Sequence, residues 1–388
     1  MKSFDVVIVG AGPAGLMAAR TLCDSKDGKI KDGKINYIII DAKKSLGLPM
    51  KCAEGVHEDV FLEFFGNKNY PFVKNTVKNH KIIYQDLTRV LRLNSLQLDR
   101  PEWEKWMGKG LNIELDCRLE DIEITDDFAE LKTSKGLIRS KIVILCNGCN
   151  FSIQKKFGLI KKTPAVAIAY GGIFKDYGLE KDSFYYYFDE EFFGYLWIFP
   201  KSKELANIGI AFYPLGKKLN PKIMLSRFLE KYGLHPKLIS DYAGVIPCSG
   251  PIEKTYHDRL MVCGDSAGFV YAGTGEGIKY ALKSGELAAE NAIQALKDNK
   301  FGKLSMKRYE KAWKKSFGKE MKAGMMFFDL TVAGARLGKI KGLFSRPSEE
   351  HIKELVLEGK YSSHTWIAWT IARLMRWNKL SDKKVFGK

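Results

Sequence analysis

The chain has 388 residues, 45% hydrophobic and 28% charged, a balance that excludes a disordered or fibrous protein and leaves room for two domains or one large α/β unit with an inserted sheet. Its formal net charge of +18 attracts polyanions, but the cations are mostly lysine and no helix-turn-helix or RNA-binding signature accompanies them, so nucleic acid is not an expected partner. The charge suits lipid head groups or phosphate, or it reflects only a lysine-rich proteome.

At the N-terminus, "MKSFDVVIVG" carries an apolar run too short for a secretory signal, and it breaks into a glycine loop. Residues 5–15 read "DVVIVGAGPAG". Val6 to Val9 form a β-branched run of the kind found in strands buried on both faces. Gly10, Gly12 and Gly15 then give G-x-G-x-x-G ahead of the helical "LMAARTL". Gly10 allows a tight turn, Gly12 lets the backbone approach a pyrophosphate, and Gly15 lets helix and strand pack closely. The helix N-terminus offers free N–H groups to the phosphates.

A duplicated turn-rich stretch, "DGKIKDGKI" at 27–35, reads as a surface loop. A second strand, "NYIIID", ends at Asp41, whose carboxylate is placed to accept from ribose hydroxyls. Next comes "MKCAEGV" at 50–56, where Cys52 and Glu54 stand two residues apart among small residues. Arg100 opens the helix "PEWEKWM", and His57 reads as a residue at a helix start.

The stretch "KIVILCNGCNFS" places Asn147-Gly148 after a strand at 141–146 and creates Cys146-x-x-Cys149. A lone pair of this kind is a redox dithiol or half of a zinc site. No second pair at metal spacing follows, so no metal is expected and packing is the preferred reading. The other cysteines are Cys23, Cys52, Cys117, Cys248 and Cys263, an odd total that suits a reducing, cytoplasmic interior. Residues 165–214 read as antiparallel strands and include the aromatic "SFYYYFDEEFFGYLWIFPK". Alternation sends Tyr195, Trp197 and Phe199 to one face and Leu196 and Ile198 to the other, until Pro200 stops the strand.

Residues 260–285, "LMVCGDSAGFVYAGTGEGIKYALKSG", supply a second strand–turn–helix unit. Asp265 can accept from a ribityl hydroxyl, and Gly275 and Gly277 leave space for an isoalloxazine ring. The N–H groups of Gly277 and Ile278 can face the pyrimidine edge of that ring. Two such units favour FAD over NAD. Beyond about residue 325, apolar runs mix with basic residues. Trp366, Trp369, Ile371, Leu374 and Met375 beside Arg373 and Arg376 suit a helix lying at an anionic membrane surface. No apolar run is long enough to span a bilayer.

The order of "KCAEG" (51–55), "LDRPEWEKWM" (98–107), "GYLWIFPK" (194–201) and "CGDSAGFVYAGTGEG" (263–277) behind G-x-G-x-x-G resembles the geranylgeranyl reductase family of p-hydroxybenzoate hydroxylase-like flavoproteins, over roughly residues 4–320. The resemblance points to its archaeal branch, which saturates the isoprenoid chains of ether lipids. It implies an α/β fold: a Rossmann-like FAD-binding domain, an inserted antiparallel substrate sheet and a C-terminal helical region. The FAD-binding domain is expected at 1–160 and 240–300, with strands near 113–146. The substrate sheet is expected at 70–110 and 161–240, and a basic, membrane-facing helical region at 301–388.

The same resemblance implies FAD contacts from Ala14, Cys52, Ala53, Gly55, Arg100 and Leu119, besides the glycines already named. Cys52 and Glu54 would border the substrate. Tyr195, Trp197 and Phe199 would line a cavity for a polyprenyl chain. The reaction implied is reduction of isolated C=C bonds by hydride from reduced flavin, with a proton from Glu54, Cys52, Tyr195 or water. NAD(P)H or ferredoxin would supply the electrons. The protein would be cytoplasmic and peripherally membrane-associated. Asn147 stands where hydroxylase relatives carry an acid, which weakens any inference of direct pyridine-nucleotide docking. Two other readings remain, an FAD monooxygenase or halogenase and a non-enzymatic flavin- or lipid-binding protein.

Overall fold

The β-branched run near the N-terminus is completely buried in the computed structural model: Val6, Val7 and Ile8 have no exposed surface in strand β1 (Lys2–Val9). The structure describes residues 2–25, 35–189, 193–214 and 219–336, with 350 and 354 besides. The duplicated loop at 27–35 lies almost wholly outside the described residues, and so does the tryptophan-bearing segment around Trp366 and Trp369.

Helix α1 (Pro13–Asp24) follows β1, then β2 (Tyr37–Ile40), β3 (Gly55–His57), α2 (Glu58–Phe65) and the hairpin of β4 (Val73–Tyr84) and β5 (Leu87–Leu98). Helix α3 (Arg100–Gly108) leads into β6 (Ile113–Glu114), β7 (Leu119–Ile124), β8 (Ala129–Thr133), β9 (Gly136–Leu145) and α4 (Ser152–Lys156). Strands β10 (Val166–Lys175), β11 (Ser183–Phe188), β12 (Phe193–Pro200) and β13 (Leu205–Tyr213) precede α5 (Pro221–Lys231) and β14 (Lys237–Pro247). The chain returns through β15 (Tyr256–His257) and β16 (Leu260–Val262) to α6 (Ile278–Asp298) and α7 (Lys303–Arg336).

These strands make two sheets. In the first, the order is β15–β16–β9–β1–β2–β6, with β8 and β7 added antiparallel beyond β9. Strands β16, β9, β1, β2 and β6 run parallel. Because the chain leaves β1 for β2 on one side while β9 lies on the other, a crevice opens at the carboxyl ends of these strands, the usual ligand position in such sheets. Helices α1 and α6 pack closely: a side chain at Gly285 would overlap the Ala14 carbonyl.

The second sheet has the order β14–β10–β13–β12–β11–β4–β5–β3. All its neighbours are antiparallel except β11 and β4, which are parallel. The predicted alternation in β12 is observed. Leu196 and Ile198 face α5, where Leu225, Phe228 and Leu229 close a core with Tyr185 and Tyr187. Trp197 and Phe199 take the opposite face, with Val77 and Phe184.

Sheet boundaries differ from the expected spans in three places. Helix α3 packs on α1 instead of joining the substrate sheet; Arg20 Nη2 donates to the Trp106 carbonyl at 2.8 Å and its guanidinium lies over the Trp106 ring. Strand β3 joins the second sheet by pairing with β5. Strand β14 carries that sheet to Pro247, past the expected boundary at 240. The physical reason is that the 42–54 loop crosses from the first sheet to the second, so the three residues after it complete the open edge of β5.

Candidate cofactor and substrate site

A cavity of about 1150 Å³ lies between the two sheets. Gly10, Gly12, Ala14 and Asp41 line one part of it, and Asp265, Gly275, Gly277 and Ile278 another. The two glycine turns, far apart along the chain, therefore border one space. Gly10 has φ +107, and a side chain there would overlap the Cys146 carbonyl. At Gly12 a Cβ would meet nothing within 4 Å, so the turn leaves room for a ligand against the start of α1. Gly15 does not line the cavity. A Cβ there would overlap the Gly10 carbonyl, so its role is the close packing of α1 on the turn and not a ligand contact.

Asp41 holds the turn itself. Its Oδ2 accepts the Ala11 N–H at 2.6 Å and its Oδ1 accepts the Lys43 N–H at 2.8 Å. Its remaining lone pairs stay available on the cavity wall. Asp265 sits opposite, in the tight turn after β16. Burial raises its carboxyl pKa, and the charge of Arg100 opposes that rise. Gly277 caps α6 and Gly275 adopts φ +78. Leu119 lines the cavity from the start of β7. Two buried oxygens on this wall, Asn147 Oδ1 and Glu276 Oε1, have no protein partner.

The "KCAEG" loop is stitched to the second sheet. The Cys52 carbonyl accepts from Asn207 Nδ2 at 2.9 Å and from the Tyr242 hydroxyl at 2.8 Å. The Ala53 carbonyl accepts from Gln97 Nε2 at 3.0 Å. At Gly55 an added Cβ would stand 3.0 to 3.1 Å from the Phe199 and Phe184 rings, so a side chain there would press on both. The Cys52 sulfur accepts the Glu54 N–H at 3.2 Å.

Glu54 does not stand free at the substrate side. It has φ +68, its side chain is 1% exposed, and Lys201 Nζ lies 2.7 Å from its Oε2. Asn207 Nδ2 also donates to Oε2 at 3.0 Å, and the Arg100 N–H donates to Oε1 at 2.9 Å. A carboxylate held by three donors, one of them a cation, acts as an anchor and not as a proton donor. Arg100 lies on the cavity wall with Nε 2.8 Å from Glu104 Oε1. Burial works against its charge, and Cys52 and Glu104 beside it more than offset that cost.

Tyr195 is also committed. Its hydroxyl donates to the Thr274 carbonyl at 2.5 Å, which ties β12 to the "GTGEG" turn and removes it as a free proton donor. Burial pushes its pKa up. Trp197 donates its indole N–H to Asn207 Oδ1 at 3.0 Å. Phe199 stacks on Phe184 with centroids 4.1 Å apart. All three rings line the cavity. A smaller cavity of about 70 Å³ shares Phe188, Tyr195 and Phe327 with it and extends past Phe193 and Phe328.

Cys146 and Cys149 do not face each other as a dithiol. Cys146 is hydrogen-bonded with Cys263, which with burial raises its thiol pKa, and the Cys149 thiol donates to the Val245 carbonyl at 3.4 Å. Sequence reasoning did not single out Lys201, Asn207 or Tyr242, which hold the "KCAEG" loop. Of these, Lys201 alone stood in a quoted motif, at the end of "GYLWIFPK".

The model of the geranylgeranyl reductase catalytic domain matches residues 166–246. A digeranylgeranylglycerophospholipid reductase of Methanocaldococcus jannaschii is 31% identical over 336 residues, covering 80% of this chain and 82% of its own. Digeranylgeranylglycerophospholipid reductase 2 of Methanopyrus kandleri is 28% identical, covering 91% and 89%. Among solved structures, a geranylgeranyl bacteriochlorophyll reductase-like protein of Thermoplasma acidophilum matches with a TM-score of 0.79 at 20% identity, covering 99% of this chain and 98% of its own. A flavin-dependent brominase matches with a TM-score of 0.66 at 17% identity, covering 98% and 100%. At such identities the structural likeness shows the fold alone.

Proposed function

The chain belongs to the geranylgeranyl reductase family, and from that premise we propose that it is an FAD-dependent enzyme that saturates C=C bonds in the geranylgeranyl chains of a glycerophospholipid. The observation that carries this reading is the single cavity bordered by both glycine turns and by the aromatic face of β12. The residues present fit the cofactor: Gly12 leaves open space before α1, and unpartnered buried oxygens face the cavity. Gly10, Gly12 and Ala14 would hold the pyrophosphate, Asp41 the ribose and Asp265 the ribityl chain. The N–H groups of Gly277 and Ile278 would meet the pyrimidine edge, with Cys52, Ala53, Gly55, Arg100 and Leu119 around the rest.

When bound and reduced, FAD supplies a hydride to one carbon of the double bond. The chain itself supplies binding, dryness and a proton. Tyr195, Trp197 and Phe199 offer a wall against which each buried methylene of a polyprenyl tail gains about 0.8 kcal/mol. The same rings exclude water and can temper positive charge developing on the substituted carbon. The electron donor is NAD(P)H or a ferredoxin; the net charge of +18 favours an acidic protein donor. No described helix is long and apolar enough to cross a membrane.

The test is anaerobic. Purified protein is loaded with FAD, reduced chemically and mixed with a digeranylgeranyl glycerophospholipid. Flavin reoxidation with the mass of two hydrogens gained per double bond is expected. A reduced flavin that ignores the lipid would overturn the reading, and oxygen-dependent insertion into an aromatic would replace it with a monooxygenase.

A further inference from the structure

Five polar side chains form a line along one wall of the cavity. Glu276 Oε2 stands 3.6 Å from His57 Nε2. His57 Nδ1 lies 3.2 Å from Ser95 Oγ, Ser95 Oγ lies 2.9 Å from His80 Nε2, and His80 Nδ1 lies 3.3 Å from the Tyr186 hydroxyl. The two imidazoles stack with centroids 5.6 Å apart and planes 12° from parallel. All five residues line the cavity. Ser95 and His80 are buried, whereas His57 and Glu276 keep some exposure. Apolar packing gives no reason for such a line between aromatic strands, and among the described residues the side-chain hydrogen bonds of His57, Ser95, His80 and Tyr186 run along it.

We propose that Glu276, His57, Ser95, His80 and Tyr186 are a proton relay, ending in the Tyr186 hydroxyl, that protonates the substrate carbon opposite the one receiving hydride. The proposal rests on the reductase reading above. Hydride comes from the reduced flavin, which is oxidised by two electrons, and it forms one C–H bond. The second C–H bond forms as the Tyr186 O–H bond breaks. The Tyr186 oxygen takes the Nδ1 proton of His80, whose Nε2 takes the Ser95 hydroxyl proton. Ser95 takes the Nδ1 proton of a His57 imidazolium, leaving neutral His57 with its Nε2 proton toward the Glu276 carboxylate. For the next turnover the His57 ring turns over, so that its unprotonated nitrogen meets solvent at the Glu276 side and takes up a proton, and His80 and the two hydroxyls reorient to their starting directions.

Relaying answers a problem of acidity. A phenol pushed up by burial, as Tyr186 is, cannot by itself protonate an isolated alkene and remain a phenolate. With concerted transfer the charge lost is that of the distant imidazolium, a far stronger acid than a phenol. Burial and the charge of His57 lower the His80 pKa to about 3. His80 therefore stays neutral with a single N–H, the state in which an imidazole accepts at one nitrogen while releasing at the other. Tyr186 is the terminal donor, and the other four act through it as positioning and relay residues.

Ser95→Ala removes the bridge between the histidines, and Tyr186→Phe removes only the terminal hydroxyl. In single turnovers of reduced holoenzyme with a digeranylgeranyl phospholipid, each should slow flavin reoxidation by about 100-fold or more, with flavin affinity unchanged. Wild-type rates in water–deuterium oxide mixtures should curve with deuterium fraction, as several protons move together, and S95A should make the dependence linear. In flavin-free protein, nitrogen NMR should find His80 protonated at Nδ1 and both histidines shifted by S95A. An Nε2-protonated His80, or variants with wild-type rates and wild-type curvature, would overturn the relay alone. A wild type whose reduced flavin is untouched by lipid would sink the reductase reading and the relay with it.

Discussion

Lys201 Nζ and Glu54 Oε2 lie 2.7 Å apart with side chains 11% and 1% exposed, so this pair has little water to fall back on. Removing one member strands the other as a buried charge, a change that costs roughly 3–5 kcal/mol. Lys201→Met is therefore expected to lower unfolding stability by about that amount in a denaturant titration. It should also loosen the Cys52 loop, because Asn207 Nδ2 donates both to Glu54 Oε2 and to the Cys52 carbonyl. A variant with wild-type stability would show that the pair is solvated. Neither role was legible beforehand. "CAEG" suggests a functional carboxylate because it is short and polar, yet its partner stands 147 positions away, at the end of a different strand. Asp41 and Gly10 were legible because turn and strand lie in one local unit.

At the scale of elements, β12 and β13 show how small residues shape the cavity wall. Trp197 pairs in register with Gly209, and its ring occupies the space where a Gly209 side chain would stand. Gly171 on β10 has the Trp197 ring 2.9 Å from its would-be Cβ. Gly209→Ala is expected to push the indole toward the cavity at a cost of about 1–3 kcal/mol. Its signature would be a changed tryptophan emission and weaker lipid binding, with flavin affinity retained. An unchanged spectrum would mean the neighbouring strands simply yield. The period-two pattern of β12 was readable from alternation alone. The glycines opposite were not, since register between strands depends on the turn geometry that joins them.

For the whole molecule, the net charge of +18 is a long-range property that outlasts the details of any one contact. If the lipid is taken from a bilayer, the protein should sediment with vesicles containing anionic phospholipid and not with neutral ones. Binding should fall steeply as salt rises from low to physiological ionic strength, because the Debye length shortens to about 8 Å. Equal binding to both kinds of vesicle would assign the association to apolar contact. The basic segment expected around Arg373 and Arg376 lies outside the described residues.

The sequence by itself determined the nucleotide-binding half, its second turn at 263–277 and the aromatic strand. Each is written in neighbouring residues whose spacing follows strand, turn or helix geometry, and the order of such units carried the family resemblance. Tertiary structure alone decided which polar groups are anchors and which are open. Glu54 became half of an ion pair and Tyr195 a tie to Thr274, while the line from Glu276 to Tyr186 was assembled from β3, β4, β5, β11 and the turn before α6. The reason is physical: local pattern records what a residue's own backbone needs, whereas hydrogen-bond partners and dielectric surroundings are set by chain segments that meet only when the sheets come together.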